Sequence, residues 1–263
     1  MVFNYIKYFI ENNTAVIKLF RPNVLNSFNA AMAKEVQHAF LDAKSSEKIR
    51  AIYLTGEGRA FSAGQDLEEA VPSDNQPPAD LGNIINECYN PIIRLIREIE
   101  KPVVCGVNGV AAGAGANIAL SCDIVVAAKS ASFIQAFSKI GLIPDSGGTY
   151  FLPRLVGLPR AAAMMMLAEK ISAEEALNFG MIYKVIPDEN FFEEGFKLAN
   201  QLASMPTTGI ALTKTALNYS LSNNLEEQLQ LEKELQIRAG KTSDYMEGVK
   251  AFLEKRKPNF KGK

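Results

Sequence analysis

Residues 103–128 read VVCGVNGVAAGAGANIALSCDIVVAA, a stretch apolar enough to raise the question of a membrane span. Two asparagines and an aspartate interrupt it, however, and such polar side chains are expensive to place within lipid. We therefore interpret it as two buried strands, 103–107 and 124–128, joined by a glycine-rich turn and a short helix around 117–120. Paired buried strands of this kind are typical of a sheet covered on both faces.

Strand-like and helix-like patterns alternate from this stretch back towards the N-terminus. Residues 5–10 and 15–20 predict an antiparallel hairpin, and residues 29–43 predict the first helix. A short β-branched run at 49–55 predicts another buried strand, and a helix is expected from 83 to 100. Strands that alternate with helices at this spacing predict an α/β fold with mostly parallel strands.

Loops and helices are predicted in the remaining sequence. Residues 61–66 are expected to form a loop, and the polar segment 70–81, which contains three prolines, is expected to be mobile. After residue 145 the patterns are helical, and 181–186 is the one strand predicted there. The chain should therefore end in a helical appendage that packs on the core or on a neighbouring subunit.

Composition excludes several classes of function. Lys and Arg number 28 against 29 for Asp and Glu, so the formal net charge is −1, and no basic surplus exists to bind a nucleic-acid backbone. The single histidine, His38, excludes metal sites with several histidine ligands, and any serine or cysteine triad would have to use it. Because His38 lies on the polar face of the helix predicted at 29–43, we expect a solvated surface residue and no metal site.

The cysteines indicate a reducing compartment. Cys88, Cys105 and Cys122 are odd in number and lack CxxC spacing, which is typical of buried thiols rather than of disulfides or metal ligands. The N-terminal stretch MVFNYIKYFIENN shows no signature of a secretory signal peptide. We therefore expect a cytoplasmic protein that is not inserted in a membrane.

Three glycine-rich loops, at 59–67, 108–117 and 141–149, are candidates for ligand binding. The GAG at 113–115 is followed by Ile118, where a dinucleotide-binding turn needs a third small residue, and no loop has the GK[ST] of a phosphate-binding loop. The glycines either serve only tight turns, or they let two loops offer backbone N–H groups to one ligand oxygen as an oxyanion hole.

Asp145 is an acidic residue lodged among apolar residues and glycines. An aspartate just before a predicted helix is a preferred N-cap, and an acid in an apolar loop is also a candidate for acid–base catalysis. Both interpretations stay open for Asp145 on local sequence alone. Asp66 and Asp123 lie near junctions of loops and strands, and we interpret both as structural hydrogen-bonding groups.

These loops also carry an ordered set of motifs. In chain order they are Arg21-Pro22-xxx-Asn26-Ser27, Phe61-Ser62-Ala63-Gly64-Gln65-Asp66-Leu67, Lys101-Pro102, Asn108-Gly109-xxx-Gly113-Ala114-Gly115, Cys122-Asp123, and Gly148-Thr149 with Leu152-Pro153-Arg154. Taken together, the set resembles the crotonase superfamily of enoyl-CoA hydratases and isomerases over essentially the whole chain.

The resemblance implies a fold, an assembly and a substrate class. It implies a crotonase-like ββα spiral core in residues 1–200, which would hold CoA and the active site, and a C-terminal helical trimerisation region in residues 201–263. The assembly would be a homotrimer or a dimer of trimers. Acyl-CoA thioesters would be the substrates, with CoA entering as part of the substrate and no separate cofactor. The two oxyanion-hole amides would be those of Gln65 and Ala114.

Departures from the superfamily pattern narrow the reaction. Hydratases of the superfamily carry a glutamate where this chain has Asn117 and a second where it has Phe137. Adding water to a double bond needs one group to activate the water and one to protonate carbon. The absence of both glutamates argues against a hydratase. Asp145 remains, at a position where several isomerases and a dehalogenase of the superfamily carry an acid.

Within the superfamily, residues 142–150, 180–185 and the C-terminal stretches 239–249 and 260–263 resemble the subgroup that isomerises the ring-1,2-epoxide of phenylacetyl-CoA to an oxepin in phenylacetate catabolism. That resemblance predicts an isomerase in which Asp145 alone moves the proton. The alternatives are a Δ3-Δ2-enoyl-CoA or dienoyl-CoA isomerase of fatty-acid oxidation, a dehalogenase-type enzyme that uses the aspartate as a nucleophile, and a non-catalytic binding protein.

The remaining candidate residues surround this predicted centre. Apolar neighbours would raise the basicity of Asp145 by desolvation, although Phe137 and Ile143 could equally be ordinary core residues. Arg21 and Lys255 are candidates for binding the CoA phosphates and could equally be surface charges. The residues that we expect to contact the substrate are Ala63, Asp66, Leu67, Gly113, Asn117, Phe137, Ile143 and Tyr150.

Overall fold

The computed structural model describes residues 3–70 and 80–263. Most of the polar segment predicted at 70–81 lies outside the described residues. The described strands are β1 (Ile6–Glu11), β2 (Thr14–Leu19), β3 (Ala51–Gly56), β4 (Ala60–Ser62), β5 (Val103–Val107), β6 (Val110–Ala112), β7 (Ile124–Ala128), β8 (Ser132–Ile134), β9 (Lys170–Ser172) and β10 (Lys184–Ile186).

Helices connect these strands and form most of the C-terminal third. The α-helices are α1 (Ala30–Ser45), α2 (Leu67–Ala70), α3 (Leu81–Ile84), α4 (Asn90–Glu98), α5 (Ala114–Leu120), α6 (Gly148–Val156), α7 (Leu158–Leu167), α8 (Ala173–Asn178), α9 (Phe191–Ala203), α10 (Thr207–Ser220), α11 (Leu225–Ala239) and α12 (Ser243–Leu253). Single turns of 3₁₀-helix lie at Pro22–Val24, Ala136–Ile140 and Asp188–Asn190, and a π-helical turn lies at Ile85–Tyr89.

The strands form two sheets. The larger has six strands in the order β1-β2-β3-β5-β7-β10, and the smaller has four in the order β4-β6-β8-β9. Only the pairs β1–β2 and β8–β9 are antiparallel, and the other neighbours are parallel. The predicted opening hairpin is confirmed: Asn12 and Asn13 both have positive φ (49° and 63°), as the tightest hairpin turns require. The α/β fold class is confirmed as well.

The central strands of the larger sheet are buried on both faces. β3 and β5 are buried at every residue, because alternate side chains serve two cores. Ile52 and Leu54 join the main core with α1, whereas Tyr53 points the other way, against Phe192 and Phe196 of α9. The stretch 103–128 forms β5, β6, α5 and β7, so it contributes strands to both sheets. None of the helices in residues 3–70 and 80–263 combines the length and apolar character needed to cross a membrane.

The smaller sheet was not predicted. Its strands have three residues each, too short for an alternating pattern to show in the sequence. The loop predicted at 61–66 accordingly begins within β4, and β9 is a strand in the region predicted to contain only 181–186. The predicted strand 181–186 is itself reduced to β10. The smaller sheet matters for function, because β4 and β6 lead directly into two of the glycine-rich loops.

The helix predicted from 83 to 100 is also wrong in detail. It is divided into α3, the π-helical turn and α4, since Pro91 lacks the N–H that would continue a regular helix. His38, in contrast, is exposed on α1 as predicted. In the C-terminal region, α10, α11 and α12 follow one another without strands, and α10 is fixed to the core by the buried Lys214.

Candidate active site

The three glycine-rich loops meet at one cavity of about 610 Å³. Its wall is mostly apolar, and Lys139 and Asp145 are the only charged residues among those that line it in the described part of the chain. The lining residues are Ala63, Gly64, Gln65, Leu67, Leu81, Ile84, Ile85, Tyr89, Gly113, Ala114, Ala136, Phe137, Lys139, Ile140, Leu142, Ile143, Pro144 and Asp145. A large apolar cavity with a few convergent polar groups is a typical small-molecule site.

The first loop leaves the backbone N–H of Gln65 without a partner among the described residues. Gly64 has φ of 91°, and a side chain there would come within 2.9 Å of the carbonyl oxygen of Ala112, so only glycine fits. The N–H of Phe28 donates to the carbonyl of Gly64 (2.7 Å), and the N–H of Asp66 donates to the carbonyl of Phe28 (2.9 Å). These two bonds fix the backbone on either side of Gln65, whose own N–H makes no hydrogen bond to any described residue.

The second loop provides a matching amide at Ala114. Gly113 has φ of 52°, its N–H donates to the carbonyl of Ile134 (2.9 Å), and α5 begins at the next residue. The N–H of Ala114 is therefore one of the helix-start donors that lack an intrahelical acceptor, and it has no partner among residues 3–70 and 80–263. The first loop packs directly against it, since a Cβ on Gly64 would lie 3.5 Å from the nitrogen of Ala114. Two unpaired amides thus belong to one cavity.

The third loop brings the carboxylate of Asp145 to the same cavity. Its Oδ1 accepts a hydrogen bond from the hydroxyl of Ser146 (2.8 Å), a buried residue in the left-handed region with φ of 50°. Burial raises the pKa of Asp145, and the hydrogen bond from Ser146 lowers it in part. The N-cap of α6 is Gly147, and Asp145 makes no side-chain cap. The capping interpretation of Asp145 is therefore wrong.

Asn117 supports this third loop from behind. Its Nδ2 donates to the backbone carbonyl of Asp145 (2.8 Å), and its Oδ1 accepts from Nε2 of Gln135 (2.8 Å). Asn117 is fully buried on α5 and is absent from the cavity wall. The structure therefore places it as a support of the Asp145 loop, where the sequence predicted a substrate contact.

The predicted substrate-contacting residues divide into two groups. Those that line the cavity are Ala63, Leu67, Gly113, Phe137 and Ile143. Phe137 is buried, whereas Ile143 is 81% exposed and so lies at the cavity mouth. Tyr150 lies on α6 outside the cavity wall, under the guanidinium of Arg154 at 3.8 Å.

The predicted phosphate-binding cations also lie outside the cavity wall. Arg21 pairs with Asp66 (2.8 Å) and donates to the carbonyl of Ser27 (2.7 Å), so both charged side chains hold the first loop in place. The prediction that Asp66 is a structural hydrogen-bonding group is thereby confirmed. Asp66 was also predicted to contact the substrate, but it does not line the cavity. Lys255 is exposed just after α12, with φ of 54°.

Two polar residues of the cavity wall, Tyr89 and Lys139, were not among the predicted site residues. Tyr89 is buried at the end of the π-helical turn and lines the cavity, and Lys139 contributes its only cation among the described residues. Pro91 was the available signal for Tyr89, since a proline interrupts the regular helical hydrogen bonds of the turn that precedes it. Nothing in the local sequence distinguishes Lys139 from a surface lysine. No cluster of three or more His, Cys, Asp or Glu that could hold a metal ion is found in the described part of the chain.

Comparison with known families and structures agrees with this fold and loop arrangement. The family model described as enoyl-CoA hydratase/isomerase matches residues 10–263. The chain therefore belongs to the enoyl-CoA hydratase/isomerase family, as the motifs predicted.

Individual relatives resemble the chain over its whole length. It is 46% identical to the 1,2-epoxyphenylacetyl-CoA isomerase of Escherichia coli (strain K12), with 97% of both chains covered. It is also 46% identical to a Rhodobacter capsulatus protein named "probable enoyl-CoA hydratase", with 100% of both covered. An enoyl-CoA hydratase structure from Bacillus anthracis has a TM-score of 0.91 at 30% identity, covering 99% of this chain and 100% of that one.

These relatives carry names for two different reactions at equal identity. Overall similarity therefore establishes the family and leaves the choice between isomerisation and hydration to the residues of the cavity.

Proposed function

We propose that this protein is an acyl-CoA isomerase that uses an oxyanion hole and one aspartate, and that its substrate is 1,2-epoxyphenylacetyl-CoA, converted to the oxepin. The observation that carries the proposal is the chemistry of the cavity wall. Asp145 is the only carboxylate among the described lining residues, and it shares the cavity with two unpaired backbone amides. The 46% identity to an isomerase with that name supports the choice of substrate.

The amides of Gln65 and Ala114 would bind the thioester carbonyl oxygen. Donors held in place before the reaction stabilise the negative charge that develops on this oxygen when the α-proton leaves. The fixed backbone around Gln65 and the start of α5 supply that preorganisation. The helix dipole of α5 adds a further favourable field at Ala114.

Asp145 would take the α-proton. Burial raises the pKa of Asp145, which makes its carboxylate a stronger base than that of an ordinary aspartate. The electron pair of the broken C–H bond forms the enolate, which is conjugated with the ring. The bond between the two epoxide carbons breaks while both C–O bonds are kept, and this enlarges the ring to the oxepin. The carboxyl group then returns the proton to a ring carbon at the far end of the conjugated enolate, so the product has the mass of the substrate.

The cavity favours isomerisation over hydration. Phe137 and Asn117 replace the two glutamates that the resemblance implies for hydratases, and the buried Asn117 is fully occupied behind the Asp145 loop. No second carboxylate lines the described cavity, so the pair of acid–base groups that hydration needs is not found among the described lining residues.

One observation favours a second candidate, an enoyl-CoA isomerase acting on aliphatic chains. The wall includes Leu67, Leu81, Ile84, Ile85 and Ile140, which would accommodate an alkyl chain as well as a ring. The same aspartate would move a proton between two carbons of the chain. Both candidates share one mechanism and differ in the acyl group.

We also propose a homotrimer or a dimer of trimers, assembled through the C-terminal helices. Leu225 of α11 and Phe252 and Leu253 of α12 are 75%, 83% and 74% exposed, and a partner subunit would remove them from water. Light scattering should give at least three times the 28.8 kDa chain mass. A monomer in solution would contradict this assembly.

Lys139 is the one cation among the described residues that line the cavity, so other positive groups would have to bind the CoA phosphates. We propose Lys255, which is exposed at the end of α12. We propose the cytoplasm as the compartment, because Cys105 and Cys122 are free, buried thiols and Cys88 is buried as well.

The test is incubation with a panel of CoA thioesters, followed by mass analysis and ultraviolet spectra. The panel contains 1,2-epoxyphenylacetyl-CoA, a 3-enoyl-CoA, a 2-enoyl-CoA and a chloroacyl-CoA. We expect the epoxide to change its spectrum at constant mass, and Asp145→Asn to abolish the change. The matched control is Asp42→Asn, which alters an exposed aspartate on α1.

Each other outcome contradicts the proposal in its own way. Conversion of the 3-enoyl-CoA alone would favour the aliphatic isomerase. A product heavier by one water would indicate a hydratase. A covalent ester on Asp145 with release of chloride would indicate a dehalogenase. Binding of every thioester without any conversion would indicate a non-catalytic protein.

A further inference from the structure

The π-helical turn Ile85–Tyr89 places a tyrosine behind the first loop. The N–H of Asn90 donates to the carbonyl of Ile85, five residues back, and Pro91 follows directly. A π turn holds more residues than an α turn, so it redirects the side chains next to it. Such turns are frequently found at functional sites, and this one ends at Tyr89, in the wall of the cavity.

Tyr89 contacts the first loop in two ways. Its ring packs against the ring of Phe28, with centroids 6.0 Å apart and an angle of 59°. Its hydroxyl donates a hydrogen bond to Oε1 of Gln65. Tyr89 is 1% exposed, so water does not compete for this bond.

Gln65 is thereby held at both ends of its side chain amide. Its Nε2 donates to the backbone carbonyl of Asp66 (3.1 Å), while its Oε1 accepts from Tyr89. The same Phe28 that packs on Tyr89 makes the two backbone bonds on either side of Gln65. The backbone N–H of Gln65, which belongs to the proposed oxyanion hole, has no partner among the described residues.

We infer that Tyr89 is a positioning residue for the oxyanion hole. Its hydroxyl fixes the side chain of Gln65, and the fixed side chain sets the direction in which the backbone N–H of Gln65 points. The inference rests on the oxyanion hole of the proposed function. A donor of this kind stabilises a developing negative charge only as well as it is oriented beforehand. Tyr89 would therefore act on the reaction without touching the reacting atoms.

The variant that isolates the hydroxyl is Tyr89→Phe, which keeps the ring and its packing on Phe28. The matched control is Tyr8→Phe, which also removes a tyrosine hydroxyl bonded to a side chain (Asp42, 2.5 Å) but leaves the cavity wall untouched. A third variant, Gln65→Leu, keeps the backbone amide and removes both side-chain bonds. The double variant of Tyr89 and Gln65 completes a cycle.

The first readout is spectroscopic and needs no turnover. Phenylacetyl-CoA labelled with ¹³C at the thioester carbonyl is bound to each protein, and the carbonyl stretch is followed by infrared difference spectroscopy. We expect wild type and Tyr8→Phe to lower the stretching frequency equally, because two N–H donors polarise the carbonyl. We expect Tyr89→Phe and Gln65→Leu to lower it by less.

The second readout is kinetic. We expect Tyr89→Phe to reduce kcat about tenfold, less than the ~10²-fold or more that loss of a whole oxyanion donor causes. KM should change by less than about twofold, because the contacts of the substrate with the rest of the cavity wall are kept. The double variant should lose no more than the larger of the two single losses, since both residues act through one amide.

The outcomes separate this inference from the proposed function. An unchanged carbonyl stretch and unchanged kcat in Tyr89→Phe, beside a normal shift in wild type, would overturn the inference alone. Losses that multiply in the double variant would do the same. If wild type itself does not shift the carbonyl stretch, the oxyanion hole fails, and the proposed function and the inference fall together.

Discussion

Asp123 and Asp145 are two partly buried carboxylates of the same chain, and their surroundings differ sharply. Asp123 accepts hydrogen bonds from the N–H of Val103 (2.8 Å) and from Arg97 (3.1 Å), and its Oδ2 lies 2.7 Å from Nζ of Lys214. Asp145 has the hydroxyl of Ser146 as the one side-chain donor to its carboxylate that the described residues provide.

The difference shows what each carboxylate is for. At Asp123, two cations and a backbone amide offset the cost of burial, so the group joins α4, α10 and β5 and has no capacity left for a ligand. At Asp145, burial is offset only in part, and the pKa of the group stays raised. A carboxylate left under-compensated beside a cavity is available for proton transfer, at some cost in stability.

The largest expected effect comes from Asp145→Asn. The amide cannot take a proton, so kcat should fall by about 10³-fold, within the range for loss of an acid–base group. Because burial raises the pKa of Asp145, its protonated form favours folding and its ionised form disfavours it; that stabilising contribution fades as pH rises through the raised pKa. The variant should therefore have a higher Tm than wild type at pH 7.

This gain in Tm should shrink at acidic pH, where wild-type Asp145 is itself neutral. Differential scanning calorimetry at pH 7 and at acidic pH, together with kinetics, measures both effects. A variant that loses activity and also loses stability at pH 7 would show that Asp145 is structural.

The matched change at the other carboxylate is Asp123→Asn. It removes the negative charge between Arg97 and Lys214 and leaves the buried ammonium of Lys214 with hydrogen bonds to two backbone carbonyls but without its carboxylate partner. We expect a loss of about 3 kcal/mol in the free energy of unfolding, measured by urea titration. The kcat of the folded fraction should equal that of wild type, and a tenfold loss in kcat would break the contrast between the two aspartates.

A smaller effect is expected from Asn117→Asp. A carboxylate cannot donate to the carbonyl of Asp145, and it adds a like charge behind the loop. We expect kcat to fall about tenfold, because small displacements of a catalytic group have large kinetic effects. The control is Asn218→Asp, which also loses a hydrogen bond from a side-chain amide to a backbone carbonyl, that of Arg97 (3.0 Å). This bond lies next to the Arg97–Asp123 ion pair and not at the cavity. Equal kinetic losses in both variants would contradict a specific role for Asn117.

The smallest effect is expected from Ser146→Ala, and it concerns pH. The hydroxyl of Ser146 favours the ionised form of Asp145, so its removal should raise the pKa of Asp145 further. The acid limb of the kcat profile should then move to higher pH, because activity is lost as the base becomes protonated. The plateau value of kcat should change only a few-fold. A shift to lower pH would show that another group controls the profile.

Much of the larger sheet could be predicted from the sequence. Its hairpin turn at Asn12 and Asn13 and the buried strands around 103–128 follow from local chemistry, which the sequence displays directly. The smaller sheet could not, because three-residue strands carry no periodic pattern. The π-helical turn was missed for a related reason: a proline indicates a break without saying how the chain continues after it.

Within the site, the sequence indicated which residue types are present but not whether their side chains face the cavity. Asp145 and the loops with Gln65 and Ala114 were proposed from the sequence, and the cavity contains all three. Five further residues were also predicted from the sequence to contact the substrate, yet they lie outside the wall of the cavity: Arg21, Asp66, Asn117, Tyr150 and Lys255. Whether a polar side chain faces a ligand or a neighbouring loop depends on contacts between residues far apart in the chain.

The sequence by itself determined the family, the α/β class and the three loops, because motifs, glycines and apolar runs are local properties. It also showed that neither hydratase glutamate is present. Only the tertiary structure decided which of the two partly buried aspartates, Asp123 or Asp145, lacks an ion pair with a described residue. That choice depends on cations contributed by α4 and α10, which reach Asp123 and do not reach Asp145. Compensation of a buried charge is a property of the packed chain, since its partners come from distant segments.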